Sequence, residues 1–255
     1  CIHGTRQYTG RGIPGGCAQY FKFTYPENPN GMLGVLNTLM KVPDNITDEQ
    51  LCVSEAFGVG LWAVNTAGVK AGDTVVILGT GIIGNSTMQF AKARGARTII
   101  VGRGKRRMEC AKECGADYVI DNSKGDCYEQ IREIVGETGW QFGDDTLAVD
   151  VTIDCAGYPG SFNDALKITK CGGTVCEVAF HEQESMVNPQ YLLSKDLKLC
   201  TVNFNDTPGA LEAMANGTVR VEPLIDEIVP LERFEEAYRR QVDGSAVKVL
   251  INMEA

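Results

Sequence analysis

The chain has 255 residues, 44% of them hydrophobic and 22% charged, with a formal net charge of −9. That composition is globular, and its acidic balance argues against nucleic acid as the main partner, because phosphate binding needs a basic face. No unbroken apolar run is long enough to span a membrane and no signal peptide is visible, so no membrane association is expected.

Residues 1–47 are rich in Gly, Pro, Tyr and Asn and read as short strands and loops. From residue 74 onward the pattern alternates. "TVVIL" at 74–78 is a short β-branched run ending in glycine, which predicts a buried strand. Helical spacing follows over 82–94, and a second strand over 98–101. A helix over 105–114 is closed by Gly115. Further strands are predicted at 118–120, 149–155, 174–178 and 197–204, with helices at 128–135 and 161–169 between them. The chain ends in a helix at 208–216, an amphipathic helix at 231–242 and a strand at 246–252. Strands alternating with helices of this length predict an α/β fold with a doubly wound parallel sheet of the Rossmann type.

The ten cysteines are scattered and form no CxxC pair. In a chain of this size they read as reduced thiols of a cytoplasmic protein. Cys110 and Cys114 share a helix face and read as small core residues.

The candidate site begins at Gly79-Thr80-Gly81-Ile82-Ile83-Gly84, between the first strand and its helix. Gly79 permits a tight turn. Gly81 lets backbone approach a pyrophosphate, and Gly84 lets the helix pack close to the sheet. The helix N-terminus offers free N–H groups to phosphate. This context predicts dinucleotide binding, with Ile82 and Ile83 in the binding turn. Gly102 ends the second strand, where an Asp or Glu would hydrogen-bond the NAD ribose and repel a 2′-phosphate. Glycine removes that repulsion. Arg103, Lys105, Arg106 and Arg107 then bring positive charge, so NADP(H) is favoured over NAD(H). A solvated basic turn is the competing reading.

"VPDNITDEQLCVSEAFGVGLWAVNTAGVKAGDTVVILGTGIIG" resembles the domain junction of the zinc-type medium-chain dehydrogenase/reductase family, the alcohol, polyol and threonine dehydrogenase relatives. "AKECGADYVID", "DCAG", "CGGTV" and "EPLI…PLERFEEAY…VKVLI" continue the likeness in order, from Gly15 to the C-terminus. The resemblance implies two domains. Residues 1–56 would be the C-terminal part of a GroES-like, β-rich catalytic domain, 57–203 the Rossmann cofactor domain, and 204–255 a return segment to the catalytic domain.

The resemblance also implies site residues. Glu55 falls where polyol dehydrogenase relatives place an acidic residue beside a catalytic zinc, which makes it a candidate ligand or base; a helix-surface glutamate is the alternative. Cys1 corresponds to the fourth cysteine of a structural zinc site. Cys155, Ala156 and Gly157 would pass the adenosine, and Val178, Ala179 and Phe180 would meet the nicotinamide carboxamide. The family's upstream zinc-ligand Cys and His-Glu pair have no counterpart here, and neither histidine, His3 or His181, sits in that context. The expected function is hydride transfer between NADP(H) and an alcohol, polyol or carbonyl substrate, zinc-dependent in an intact parent, with this fragment inactive and holding no zinc tightly. A zinc-free quinone or enoyl-type reductase and a non-catalytic dinucleotide-binding module are the alternatives. Homodimers or homotetramers are expected from the same likeness, through the sixth strand.

Overall fold

The computed structural model describes residues 42–139, 146–181, 183–184 and 186–253, and the backbone of 8–9 and 12–13. Cys1, His3 and most of the expected GroES-like segment lie outside the described residues.

Six strands form one sheet: β1 (Thr74–Leu78), β2 (Arg97–Gly102), β3 (Tyr118–Asp121), β4 (Val151–Asp154), β5 (Thr174–Glu177) and β6 (Lys198–Thr201). All pairings are parallel, in the spatial order β6-β5-β4-β1-β2-β3. The order reverses between β1 and β4, and a doubly wound sheet opens a crevice at its carboxyl edge there. This is the predicted sheet, with β4, β5 and β6 shorter than the sequence suggests.

Both faces of the sheet are covered, and the two-residue strand period divides them. Val75 and Ile77 of β1 enter one core with Phe57, Met88, Cys110, Leu211 and Leu250. Val76 and Leu78 enter the other with Ile131, Leu147, Leu166 and Val175. The first core is built from α1 (Asp48–Thr66), α2 (Ile82–Ala93), α3 (Lys105–Glu113) and a later helix, α7 (Thr207–Ala215). The second uses α4 (Cys127–Val135), α5 (Ser161–Ile168) and α6 (Pro189–Lys195). Cys110 and Cys114 are both buried, as expected, and the eight described cysteines are all free.

Two helices escape the periodicity reading. α1 starts at a capping box, in which the Thr47 hydroxyl accepts from Gln50 N–H and the Gln50 side chain accepts from Thr47 N–H. α6 starts at Asn188, whose side chain accepts from Gln190 N–H, with Pro189 in its first turn. Beyond α7, β7 (Ile225–Pro230) pairs in parallel with β8 (Lys248–Asn252) across α8 (Phe234–Val242). The Leu231–Arg233 turn before α8 is 3₁₀, so the predicted amphipathic helix begins three residues later. Among the described residues no helix is long and apolar enough to cross a membrane.

Candidate dinucleotide site

β1 ends at Gly79, whose φ of +103° turns the chain out of the sheet. Its N–H donates to the Val101 carbonyl at 2.7 Å, tying the loop to β2. A Cβ at Gly84 would collide with the Gly79 carbonyl oxygen, so α2 presses directly on the end of β1. A Cβ at Gly81 would meet nothing within 4 Å. Gly81 caps α2 without a side-chain hydrogen bond, so this helix end has no side-chain cap beside the open space. The turn at Gly79 and the close packing at Gly84 are the ones their spacing predicts, and Gly81 leaves open space at the helix end. Behind them Asn85, fully buried, donates its amide to the Thr80 and Gly81 carbonyls at 2.9 and 3.0 Å. Nothing in the sequence pattern singles out Asn85, because it sits in an ordinary helical register.

A cavity of about 400 Å³ opens at this edge, lined by Gly79, Gly81, Gly102, Arg103, Arg107 and Cys155, with Ala156, Asn122, Thr80 and Tyr158 around them. Ile82 and Ile83 sit half-buried on α2 beneath it. Asn122 Oδ1 is buried without a hydrogen-bond partner. Burial pushes the Cys155 thiol up to about 12, which keeps it neutral beside the cavity.

The basic cluster divides. Arg103 is exposed at the cavity rim. Arg107 lines the cavity while donating to the Gln241 and Ala246 carbonyls at 2.7 and 3.4 Å. Arg106 turns away to Asp226, at 2.5 Å, and to the Pro223 carbonyl, at 2.7 Å. Lys105 corrects the expectation: its side chain is 91% exposed, lies 4.0 Å from Glu109 one turn on, and does not line the cavity. Lys105, Arg106 and Arg107 are successive residues of the first turn of α3 and are spread around its axis, so they do not all face one ligand. Gly102 brings a second finding. A Cβ there would collide with the Thr80 side chain. The glycine at this strand end therefore makes room for a threonine of the binding loop, a role that spacing alone does not reveal.

The turns after β4 and β5 meet at the same edge. Asp154, fully buried, accepts from Ala156 and Gly157 N–H through Oδ1 at 2.8 and 3.4 Å. Val178 and Ala179 N–H donate to the Asp154 carbonyl at 3.0 and 3.1 Å. A Cβ at Gly157, whose φ is +64°, would lie 2.8 Å from the Phe180 carbonyl oxygen. Phe180, Arg103, Ala156, Gly157, His181 and Val242 line an adjoining cavity of about 530 Å³. Burial, and then the neighbouring Asp154 carboxylate, push the Glu177 carboxyl up to about 7. His181 Nε2 stands 3.2 Å from Glu177 Oε1. Neither Glu177 nor His181 was singled out by motif.

Glu55 lies on α1, exposed, and accepts from the Asn205 side chain at 3.3 Å. Among the described residues the one convergent group of three metal-type donors is Asp154, Glu177 and His181, which does not include Glu55. Glu55 alone does not make a zinc site.

A parallel doubly wound sheet with a glycine loop at its switch point defines a dinucleotide-binding α/β protein. Residues 83–216, more than half of the chain, match the family described as zinc-binding dehydrogenase, and the chain belongs to that family. It is 30% identical over 221 residues to sorbitol dehydrogenase of Ovis aries, covering 86% of this chain and 60% of that protein. It is 31% identical over 225 residues to L-idonate 5-dehydrogenase of Vitis vinifera, with 85% and 60% covered. A solved zinc-binding dehydrogenase from Sinorhizobium meliloti 1021, bound to NADP, superimposes with a TM-score of 0.71 at 27% identity, over 83% of this chain and 61% of that one. The chain thus spans 60% of the length of these curated relatives.

Proposed function

We propose that this chain is the cofactor-binding portion of an NADP(H)-dependent oxidoreductase that moves hydride between the nicotinamide and an alcohol or polyol. The observation that carries this reading is the cavity at the switch point, where Gly81 leaves open space before an uncapped helix end and Arg103 and Arg107 stand at the rim with no carboxylate at Gly102. These residues suit the cofactor. The α2 N–H groups would hold its pyrophosphate. Arg103 would meet a 2′-phosphate, and the unpartnered Asn122 Oδ1 would accept from a polar group of the adenosine half. The backbone at Val178–Phe180 would orient the nicotinamide end, which supplies the hydride acceptor or donor when bound.

The sorbitol and L-idonate dehydrogenase relatives support a polyol or alcohol substrate. In the proposed division, residues 57–203 carry the cofactor, 1–56 belong to a catalytic domain, and 204–255 return towards it. Zinc would be held in a longer parent, with Glu55 as one candidate ligand. The described residues do not supply the rest of such a site, and no step is routed through it. β6 is the outer strand of the sheet, with Leu199 47% exposed, which supports pairing with a second subunit. Free thiols suit a reducing compartment such as the cytoplasm.

Titration of the chain with NADPH and NADH, followed by fluorescence, tests the cofactor assignment. A charge-assisted contact to phosphate is worth about 1.5–3 kcal/mol, so NADPH should bind more than roughly tenfold tighter. Arg103→Ala should remove most of that preference. Equal affinities in the unaltered chain would overturn the assignment.

A further inference from the structure

We propose that Asp154, Glu177 and His181 form a binding site for a divalent transition-metal cation at the carboxyl edge of β4 and β5. The argument begins with two unsatisfied acceptors. Asp154 is fully buried, and while its Oδ1 is spent on the Ala156 and Gly157 N–H groups, its Oδ2 is buried without a hydrogen-bond partner. Glu177 Oε2 is buried and unpartnered as well. Two neighbouring carboxylates with orphaned oxygens are costly to hold out of water, and a buried carboxylate ordinarily has a cationic partner or a metal. Among the described residues no Lys or Arg forms an ion pair with either; the one partner is His181, whose Nε2 lies 3.2 Å from Glu177 Oε1 and 4.0 Å from Asp154 Oδ2.

The three donors lie within 4.8 Å of one another. Metal–ligand bonds of about 2.0–2.2 Å place the donors of a four-coordinate site somewhat closer together than that, so a movement of about 1 Å closes the set. His181 Nε2 already stands 3.2 Å from Glu177 Oε1 and 4.0 Å from Asp154 Oδ2, on a loop that follows β5 and with its side chain 21% exposed. That exposure also gives an ion a way in and leaves a coordination position open to water. Two carboxylate oxygens and one imidazole nitrogen suit Zn²⁺, Co²⁺ or Mn²⁺ rather than a soft ion such as Cu(I). Asp154 is anchored through its other oxygen and by its place at a strand end, so the site is built on a rigid element rather than on the loop. The three residues are spread over 28 positions and fall in no metal-ligand spacing, which is why the sequence led to the opposite expectation of no tightly held zinc.

Co²⁺ is the probe of choice, because its absorption distinguishes thiolate ligation, with an intense near-ultraviolet charge-transfer band, from oxygen and nitrogen ligation, with weak visible bands. The metal-stripped chain should bind one equivalent of Co²⁺, with visible bands and no thiolate band. His181→Gln and Glu177→Gln should each weaken binding by more than about 100-fold, since loss of a ligand exceeds the 10–100-fold effect of losing a ligand's supporting partner. His181 is partly exposed, so its variant keeps the fold, checked by circular dichroism. Absence of stoichiometric binding would mean that the His181 side chain alone answers the two carboxyl groups and would overturn the site. So would binding that survives either substitution, or a spectrum dominated by thiolate.

Discussion

Thr80 and Gly102 form a pair that acts as one unit. Thr80 is buried in the binding loop and occupies the space that any side chain at the end of β2 would enter. Gly102→Ala should therefore destabilise the chain by about 1–3 kcal/mol through overpacking. Adding Thr80→Ala should recover most of that loss. Urea unfolding of the two single variants and the double variant measures the coupling, and simple additivity would show that the contact carries no strain. The Gly79-Thr80-Gly81-Ile82-Ile83-Gly84 motif is legible in the sequence because each glycine meets a local steric demand that its spacing announces. Thr80 against Gly102 is not legible, since the contact joins the loop after β1 to the end of β2, 22 positions on, and neither residue type signals it. Asp154, Glu177 and His181 escape for the same reason: only the sheet order brings β4 beside β5.

Among the elements, α5 ends against an unusual partner. Lys195, 7% exposed, donates from its ammonium to the carbonyls of Leu166, Lys167 and Thr169 at 3.0, 2.6 and 2.9 Å. Its three N–H groups thus answer carbonyls that a helix C-terminus leaves open, which offsets only part of the cost of burying the charge. Burial lowers the Lys195 amine from 10.5 to about 8. Between those values the unfolded chain holds a proton that the folded chain has released, so stability rises with pH across the window. The contribution is complete above 10.5 and is lost as the pH falls through about 8. Relative to Lys195→Met, the unaltered chain should gain up to about 3 kcal/mol over that range. Denaturant unfolding of both proteins on either side of the window reads it, and a parallel pH response would refute the assignment. Elements of strong period, such as β1 and β2, are legible in the sequence. α1 is not found by period because it is apolar on much of its surface, buried between α2 and α7; its Thr47–Gln50 capping box is the signal that marks it. α6 is too short for a period and is marked only by Asn188-Pro189.

At the scale of the molecule, the core ignores the expected boundary between 203 and 204. Val53 and Phe57 of α1 share one cluster with Ile77 of β1, Leu211 of α7 and Leu250 of β8. A Cβ at Gly58 would lie 2.8 Å from Thr207 N, so α1 and α7 touch backbone to backbone. Arg106 and Arg107 tie α3 to the segment from Pro223 to Ala246. Family likeness leads to the expectation of a return segment over 204–255, and the packing of Leu211 and Leu250 into the core of the sheet shows only in three dimensions, because period does not say which face meets which. Against this continuous core, Phe180 at 91% and Val242 at 68% exposure stand open beside the candidate nicotinamide end. An open cleft leaves a bound nicotinamide in contact with water and its alignment with substrate unsupported. The 255-residue chain should therefore bind cofactor yet show no turnover with a panel of alcohols and polyols, and Glu55→Ala should leave its metal content unchanged. Alcohol oxidation by the purified chain, or loss of metal on that substitution, would refute this.

The same continuity sets a timetable for synthesis. The sheet strands leave the ribosome in the order β1 to β6, but the face of β1 that carries Val75 and Ile77 is only partly covered, by α1, α2 and α3, until Leu211, Leu224 and Leu250 have emerged. A nascent chain halted at Asn203 holds every strand of the central sheet and still lacks part of one wall of its interior. Residues 207–252 are thus the latch of this core, and until they emerge part of its greasy side is open to chaperones and proteases.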